Sequence, residues 1–198
     1  MGMGMAKNII KARFPLLAYD IREEALREIR EFGAKLGKNP QEVAQSSKIS
    51  IIMVLNFAQV EEVIFGENGM IEGVSSGDVI IVMSTIAPAE IKAMARKLEN
   101  KGIKVMDAPV SGGKEGAEAG TLAIMAGGER EVFESCQDVL KAMGKNVYYL
   151  GALGNGLSLK LVNNLLVAVN GVSVAEAMIL GVKAGLDPEI ILDVIPKS

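Results

Sequence analysis

The chain has 198 residues, 49% of them hydrophobic and 23% charged, with a formal net charge of −3, enough to bury one good core and begin a second. With no basic run interleaved with aromatics, that charge argues against nucleic acid and anionic membrane surfaces as partners. Histidine is absent and Cys136 is the lone cysteine, which excludes a histidine base, a Ser-His-Asp triad, disulfide scaffolds and thiolate zinc sites.

MGMGMAKNII couples two glycines to the start of a helical pattern, and the extended segment FPLLAYD ends in Asp20. A glycine turn opening a helix, with an acid closing the next strand, is how a Rossmann unit holds a dinucleotide; the alternative is a frayed terminus. The glycines pass straight to Lys and Arg without a secretory apolar region, so a cytoplasmic protein is expected.

IREEALREIREFGAKLG reads as a helix closed by glycine, and NPQEVAQ as a short helix with Asn39 as cap and Pro40 in its first turn. KISIIMV and DVIIVMS are nearly continuous apolar strands, the kind covered on both faces inside a parallel sheet. AQVEEVIFGENG lies between them. PAEIKAMARKLENKG, the strands IKVMDAP and TLAIMAG, the helix EREVFESCQDVLKAMG and the strand NVYYLG follow. This alternation predicts an α/β, Rossmann-type doubly wound sheet. From Gly154 the spacing is helical throughout, and DPEIILDV predicts a last helix with Asp187 as cap and Pro188 at its first position. Two domains are expected: an α/β domain over 1–152 and the beginning of an all-helical one over 153–198. The apolar run within the latter carries Lys160, Asn163, Asn164, Asn170 and Glu176, polar groups costly in lipid, so no membrane span is expected.

A carboxylate at Asp20 can accept hydrogen bonds from both adenosine ribose hydroxyls and repel a 2′-phosphate, which favours NAD over NADP; Arg22 could instead hold that phosphate. DAPVSGG puts Ser111, Gly112 and Gly113 near the carboxyl end of a strand, where ligands of open α/β sheets bind. Glycines following a serine let backbone N–H groups converge on an anion, although a tight turn accounts for them equally well. In GALGNGLSLKLVNN the glycines break the chain where a helix begins, and Lys160 and Asn164 then fall at i, i+4 on one face. A lone lysine on an apolar helix ordinarily snorkels to water; beside Asn164 it is a candidate acid.

Taken together, M-G-x-x-M-A-K-N, L-N-F-A-Q-V, S-T-I-A-P, D-A-P-V-S-G-G and G-x-x-G-x-G-x-x-x-K-x-x-N-N resemble the β-hydroxyacid dehydrogenase family, in order and over essentially the whole chain. Members open with a buried strand and G-x-G-x-M-G-x-x-M-A, so Met1 and Gly2 correspond to the last Met-Gly. The first strand and first two glycines are expected to be absent, and members continue through further helices where this chain reads IPKS. The resemblance implies an oxidoreductase that uses NAD, with NADP also possible, to interconvert a small 3-hydroxy acid and its semialdehyde or oxo acid. It implies a homodimer or homotetramer. It makes Lys160 the general acid or base, Asn164 a substrate-orienting residue, and Ser111, Gly112 and Gly113 the binders of the substrate carboxylate. Gly2 would meet the cofactor, Thr85 would lie near the nicotinamide ribose, and Val54 and Leu55 would line the adenosine side; Leu55 stands where members commonly have Pro. A short-chain dehydrogenase would need Tyr-x-x-x-Lys, and neither Tyr148 nor Tyr149 has that lysine. A non-catalytic nucleotide-binding relative and a self-associating fragment are the alternatives.

Overall fold

The computed structural model describes residues 1–198, which divide into two compact units, Met1–Lys160 and Leu161–Ser198. In the first unit, helix α1 (Gly2–Lys11) leads to strand β1 (Leu17–Ala18) and helix α2 (Glu23–Glu31). The helix expected over 21–37 is shorter than the sequence pattern indicates. It ends at Glu31 because Gly33 takes φ 115°, and Lys35–Leu36 become a strand, β2, paired in parallel with β1. Helix α3 (Pro40–Gln45) starts where expected, with the Asn39 side chain accepting from the Glu42 N–H, a standard amino-terminal cap.

Strand β3 (Ile49–Ile52), helix α4 (Phe57–Phe65), strand β4 (Val79–Val82), helix α5 (Pro88–Glu99) and strand β5 (Lys104–Asp107) form the centre of the unit. β3, β4 and β5 pair in parallel, with Ile52 opposite Val82 and Val82 opposite Asp107. Every residue of β4 is buried, as befits a central strand covered on both faces. Ile81 and Met83 pack with Met5, Ile9, Met106 and Ile124 on one side, whereas Ile80 and Val82 pack with Val60, Ile64, Ile91 and Leu98 on the other. The two-residue period of the strand thus sends alternate side chains into two cores. No ladder joins β1 to β3; β1–β2 and β3–β4–β5 are separate sheets.

The chain then reverses direction. Strand β6 (Val110–Ser111), helix α6 (Gly113–Ala119) and strand β7 (Ala123–Ala126) follow, with β6 antiparallel to β7. Helix α7 (Arg130–Met143) and strand β8 (Asn146–Tyr149) complete this sheet, β8 running parallel to β7. Cys136 is fully buried in the core that α7 shares with β7, beside Phe133 and Leu140. Helix α8 (Asn155–Lys183) opens inside the first unit, where Leu157 is buried.

In the second unit, α8 continues from Leu161 and is followed by helix α9 (Pro188–Val194), capped by Asp187, whose side chain accepts from the Glu189 N–H at 2.9 Å. Leu165, Val167, Leu180, Leu192 and Ile195 are all exposed. By length and composition α8 is apolar enough to cross a membrane, with a mean hydropathy of 2.0 in its most apolar window.

Candidate functional site

Of the residues singled out from the sequence in the first unit, Asp20, Val54, Leu55 and Thr85 follow parallel strands and Gly2 and Gly113 open helices, where open α/β sheets bind ligands, whereas Ser111 lies in a strand and Lys160 within a helix. Gly2 opens α1, whose first turn carries no acidic residue; the leading N–H groups of a helix are the kind of donor that can hold an anion. Space around Gly2 is open, its nearest neighbour being Met53 at 3.9 Å from where a Cβ would lie. Gly4 plays a different part. A Cβ there would sit 2.7 Å from the Ala117 carbonyl carbon, so α1 and α6 approach backbone to backbone. Asn8 Nδ2 fastens the contact by donating to the Ala117 carbonyl at 2.7 Å and the Glu118 carbonyl at 3.3 Å.

Asp20 follows β1. Its Oδ1 accepts from the Arg22 N–H and Nε, and its Oδ2 from an Arg22 terminal nitrogen at 2.9 Å. The Arg22 hydrogen bond holds the Asp20 carboxyl below the usual range, against partial burial, so it is ionised at neutral pH. The guanidinium left open from sequence as a 2′-phosphate ligand is paired with Asp20 in this structure. After β3, the Val54 N–H donates to Ser84 Oγ at 2.8 Å and the Leu55 N–H to Gln59 Oε1 at 2.8 Å, while the Leu55 side chain is 85% exposed. Ser84 is buried and thus clamps the ends of β3 and β4 together, leaving Thr85 exposed beside it.

Ser111 lies in β6, an antiparallel strand, rather than directly at the end of parallel β5. Gly112 and Gly113 follow with φ 131° and 64°, and Gly113 begins α6. The two positive φ values explain why these positions hold glycine. Nothing lies within 4 Å of where a Gly113 Cβ would be, so space does not constrain it.

Lys160 is partly buried on α8, and this burial lowers its ammonium pKa from the ordinary value; no ion pair of the chain involves it. Asn164 lies further along α8, in the second unit, exposed and 3.5 Å from the Asn163 amide. A residue left without a role by sequence reasoning, Asp107, is fully buried at the end of β5. Its Oδ1 accepts from the Gly154 N–H at 2.6 Å and its Oδ2 from the Leu157 N–H at 2.8 Å. Burial pushes its carboxyl up and the amide hydrogen bonds oppose this. The signal was an acid directly after the apolar Val105 and Met106 of IKVMDAP. A groove of about 610 Å³ lined by Lys92, Arg96, Lys104 and Glu129 includes none of the expected residues.

Parallel strands alternating with helices, an ionised acid closing β1 and turns beyond the ends of β3 and β4 are those of one class: a Rossmann-type NAD(P)-binding α/β domain followed by helices. Residues 1–151 match the NAD-binding domain of 6-phosphogluconate dehydrogenase, and residues 154–198 match the NAD-binding region of NADP-dependent 3-hydroxyisobutyrate dehydrogenase. The chain belongs to the β-hydroxyacid dehydrogenase family. It is 40% identical over its whole length to mitochondrial 3-hydroxyisobutyrate dehydrogenase of Mus musculus and 43% identical to 2-(hydroxymethyl)glutarate dehydrogenase of Eubacterium barkeri, spanning 59% and 66% of their lengths. Among solved structures, 3-hydroxyisobutyrate dehydrogenase of Mycobacterium tuberculosis, described with L-serine, is similar to it at 28% identity with a TM-score of 0.91, covering 100% of this chain and 67% of that one.

Proposed function

We propose that the chain acts as an NAD(P)-dependent oxidoreductase on small 3-hydroxy acids, with Lys160 as general acid and base. The observation that carries this reading is a partly buried lysine with a lowered pKa, at the glycine-marked start of a helix that follows an NAD(P)-binding domain. Gly2 and the open start of α1 would hold the cofactor's pyrophosphate, Asp20 its adenosine ribose, and Val54, Leu55 and Thr85 its flanks. Ser111, Gly112 and Gly113 would receive the substrate carboxylate and Asn164 would orient its hydroxyl.

The substrates named for the mouse and E. barkeri relatives, and the L-serine named with the M. tuberculosis enzyme, share one skeleton: a CH₂OH group on the carbon that bears a carboxylate. This supports a 2-substituted 3-hydroxypropanoate as the substrate class. In oxidation, neutral Lys160 Nζ takes the hydroxyl proton as the C–O bond becomes C=O; in reduction, the ammonium returns that proton to the carbonyl oxygen. The nicotinamide, when bound, exchanges the hydride. Asp20 favours NAD, because its carboxylate would repel a 2′-phosphate.

Initial rates of NADH and NADPH formation across a panel of 3-hydroxy and 2-hydroxy acids test the reading. Turnover confined to 3-hydroxy acids, faster with NAD, is expected. Turnover of 2-hydroxy acids alone would contradict it. The exposed apolar side chains of Leu161–Ser198 lower their free energy by burial against further helices or against another subunit, and the second of these supports a homodimer or homotetramer.

A further inference from the structure

We propose that Asp107 is a positioning residue for this reaction: its buried carboxylate holds the first turn of α8 and so fixes where Lys160 stands. The inference rests on the Lys160 reading above.

Three features converge on it. First, the carboxylate is held from the strand side. Asp107 pairs with Val82 in the sheet, donates its N–H to the Gly127 carbonyl at 3.0 Å and accepts from the Gly127 N–H at 2.8 Å. Its side chain therefore starts from a fixed backbone. Second, its two oxygens take different amides of the helix start, Gly154 at 2.6 Å and Leu157 at 2.8 Å. One acceptor would satisfy an amide; two oxygens on separate residues set the rotation of the helix as well as its position. No cation pairs with Asp107, so the amides at the helix start are the partners of its two oxygens. Third, the surrounding space admits only glycine. A Cβ on Gly156 would collide with the Met125 carbonyl and lie 2.8 Å from Asp107 Oδ2; one on Gly127 would lie 2.6 Å from Oδ1. Leu157 is fully buried, and Lys160 follows it by one helical turn. A buried ion is a costly way to cap a helix if stability alone is needed. As a two-point anchor it ties the strand that begins DAPVSGG to the helix that carries the acid.

The test compares full-chain Asp107→Asn and Asp107→Ala with wild type. It reads kcat and KM for the 3-hydroxy acid, NADH affinity by fluorescence, the thermal midpoint, and the Lys160 ammonium titration by NMR on isotopically labelled lysine. In the folded variants Asp107→Ala should lower kcat by about 10- to 100-fold with NADH affinity unchanged. The Lys160 pKa should rise toward the ordinary ~10.4. Asp107→Asn, which keeps one acceptor, should fall between Asp107→Ala and wild type. A kcat within twofold of wild type together with an unmoved Lys160 titration would overturn the proposal, as would a kcat loss matched by an equal loss of NADH affinity. If wild type turns over no hydroxy acid, the proposed reaction fails, and the Lys160 titration alone decides: movement supports the anchor and constancy refutes it. If neither variant folds, hydrogen exchange on wild type decides. Slow exchange at Gly154 and Leu157 supports the anchor, and exchange at open-chain rates overturns it.

Discussion

Lys160 stands in surroundings that oppose its charge, and if it is the proposed acid and base this sets the pH dependence of the reaction. Burial lowers its pKa, so the neutral amine needed to accept the hydroxyl proton is populated at a lower pH than for a free lysine. kcat/KM for oxidation should therefore rise with pH along a limb centred below the ordinary lysine value of ~10.4, and reduction should show the opposite slope. A rate profile measured in both directions checks this, and Lys160→Ala should lack the limb. The stability sign follows from the same shift. Between the lowered folded pKa and the unfolded one, the unfolded state binds more protons, so the contribution of Lys160 to stability rises with pH across that window. Asp20 is predicted to select the cofactor. Asp20→Ala removes a charged acceptor and frees Arg22, so the NADH dissociation constant should rise about tenfold while NADPH binds no worse. Parallel fluorescence titrations would measure both, and unchanged NADH affinity would contradict the assignment.

The elements most legible in the sequence carry local chemistry. Asn39 before Pro40 and Asp187 before Pro188 mark the starts of α3 and α9, and both side chains cap as expected. β4 is legible because VIIV is apolar at every position. What the sequence concealed is short or long-range. β2 has only Lys35 and Leu36, and the preceding amphipathic helix hid it until Gly33 broke the pattern. α6, between the strands IKVMDAP and TLAIMAG, was not among the expected elements; Gly120 ends it in the left-handed region and Asn8 binds its last carbonyls from a distant helix. The same distance hid Asp107, whose partners Gly154 and Leu157 lie far along the chain. The residues after β3 and β4 that are proposed to meet the cofactor stand in motifs visible in the sequence, whereas the Val54–Ser84 clamp between them was not visible there. One prediction belongs to this scale. Gly4→Ala forces a methyl group into the α1–α6 backbone contact and should destabilise the protein by about 1–3 kcal/mol, read as a lower urea midpoint. An unchanged midpoint would show that the helices can separate without cost.

At the scale of the whole molecule, a Rossmann-type unit with two buried cores is followed by a helical unit whose apolar side chains are largely exposed. Apolar side chains in this number call for cover, by further helices of a longer polypeptide or by another subunit. Light scattering at micromolar concentration should give at least a dimer, and a clean monomer would contradict that. In the function proposed for this member of the β-hydroxyacid dehydrogenase family, each part has a stated role. The first unit supplies the dinucleotide site and the anchored start of α8, and Lys160 stands at the end of that anchored segment. The central claim is that this lysine moves the proton, and kcat of Lys160→Ala against wild type, with NAD and the best 3-hydroxy acid at saturation, tests it most directly. General acid–base assistance is worth about 10²- to 10⁴-fold, so kcat should fall by that factor with NADH affinity nearly unchanged; a variant that retains near-normal kcat would contradict the account.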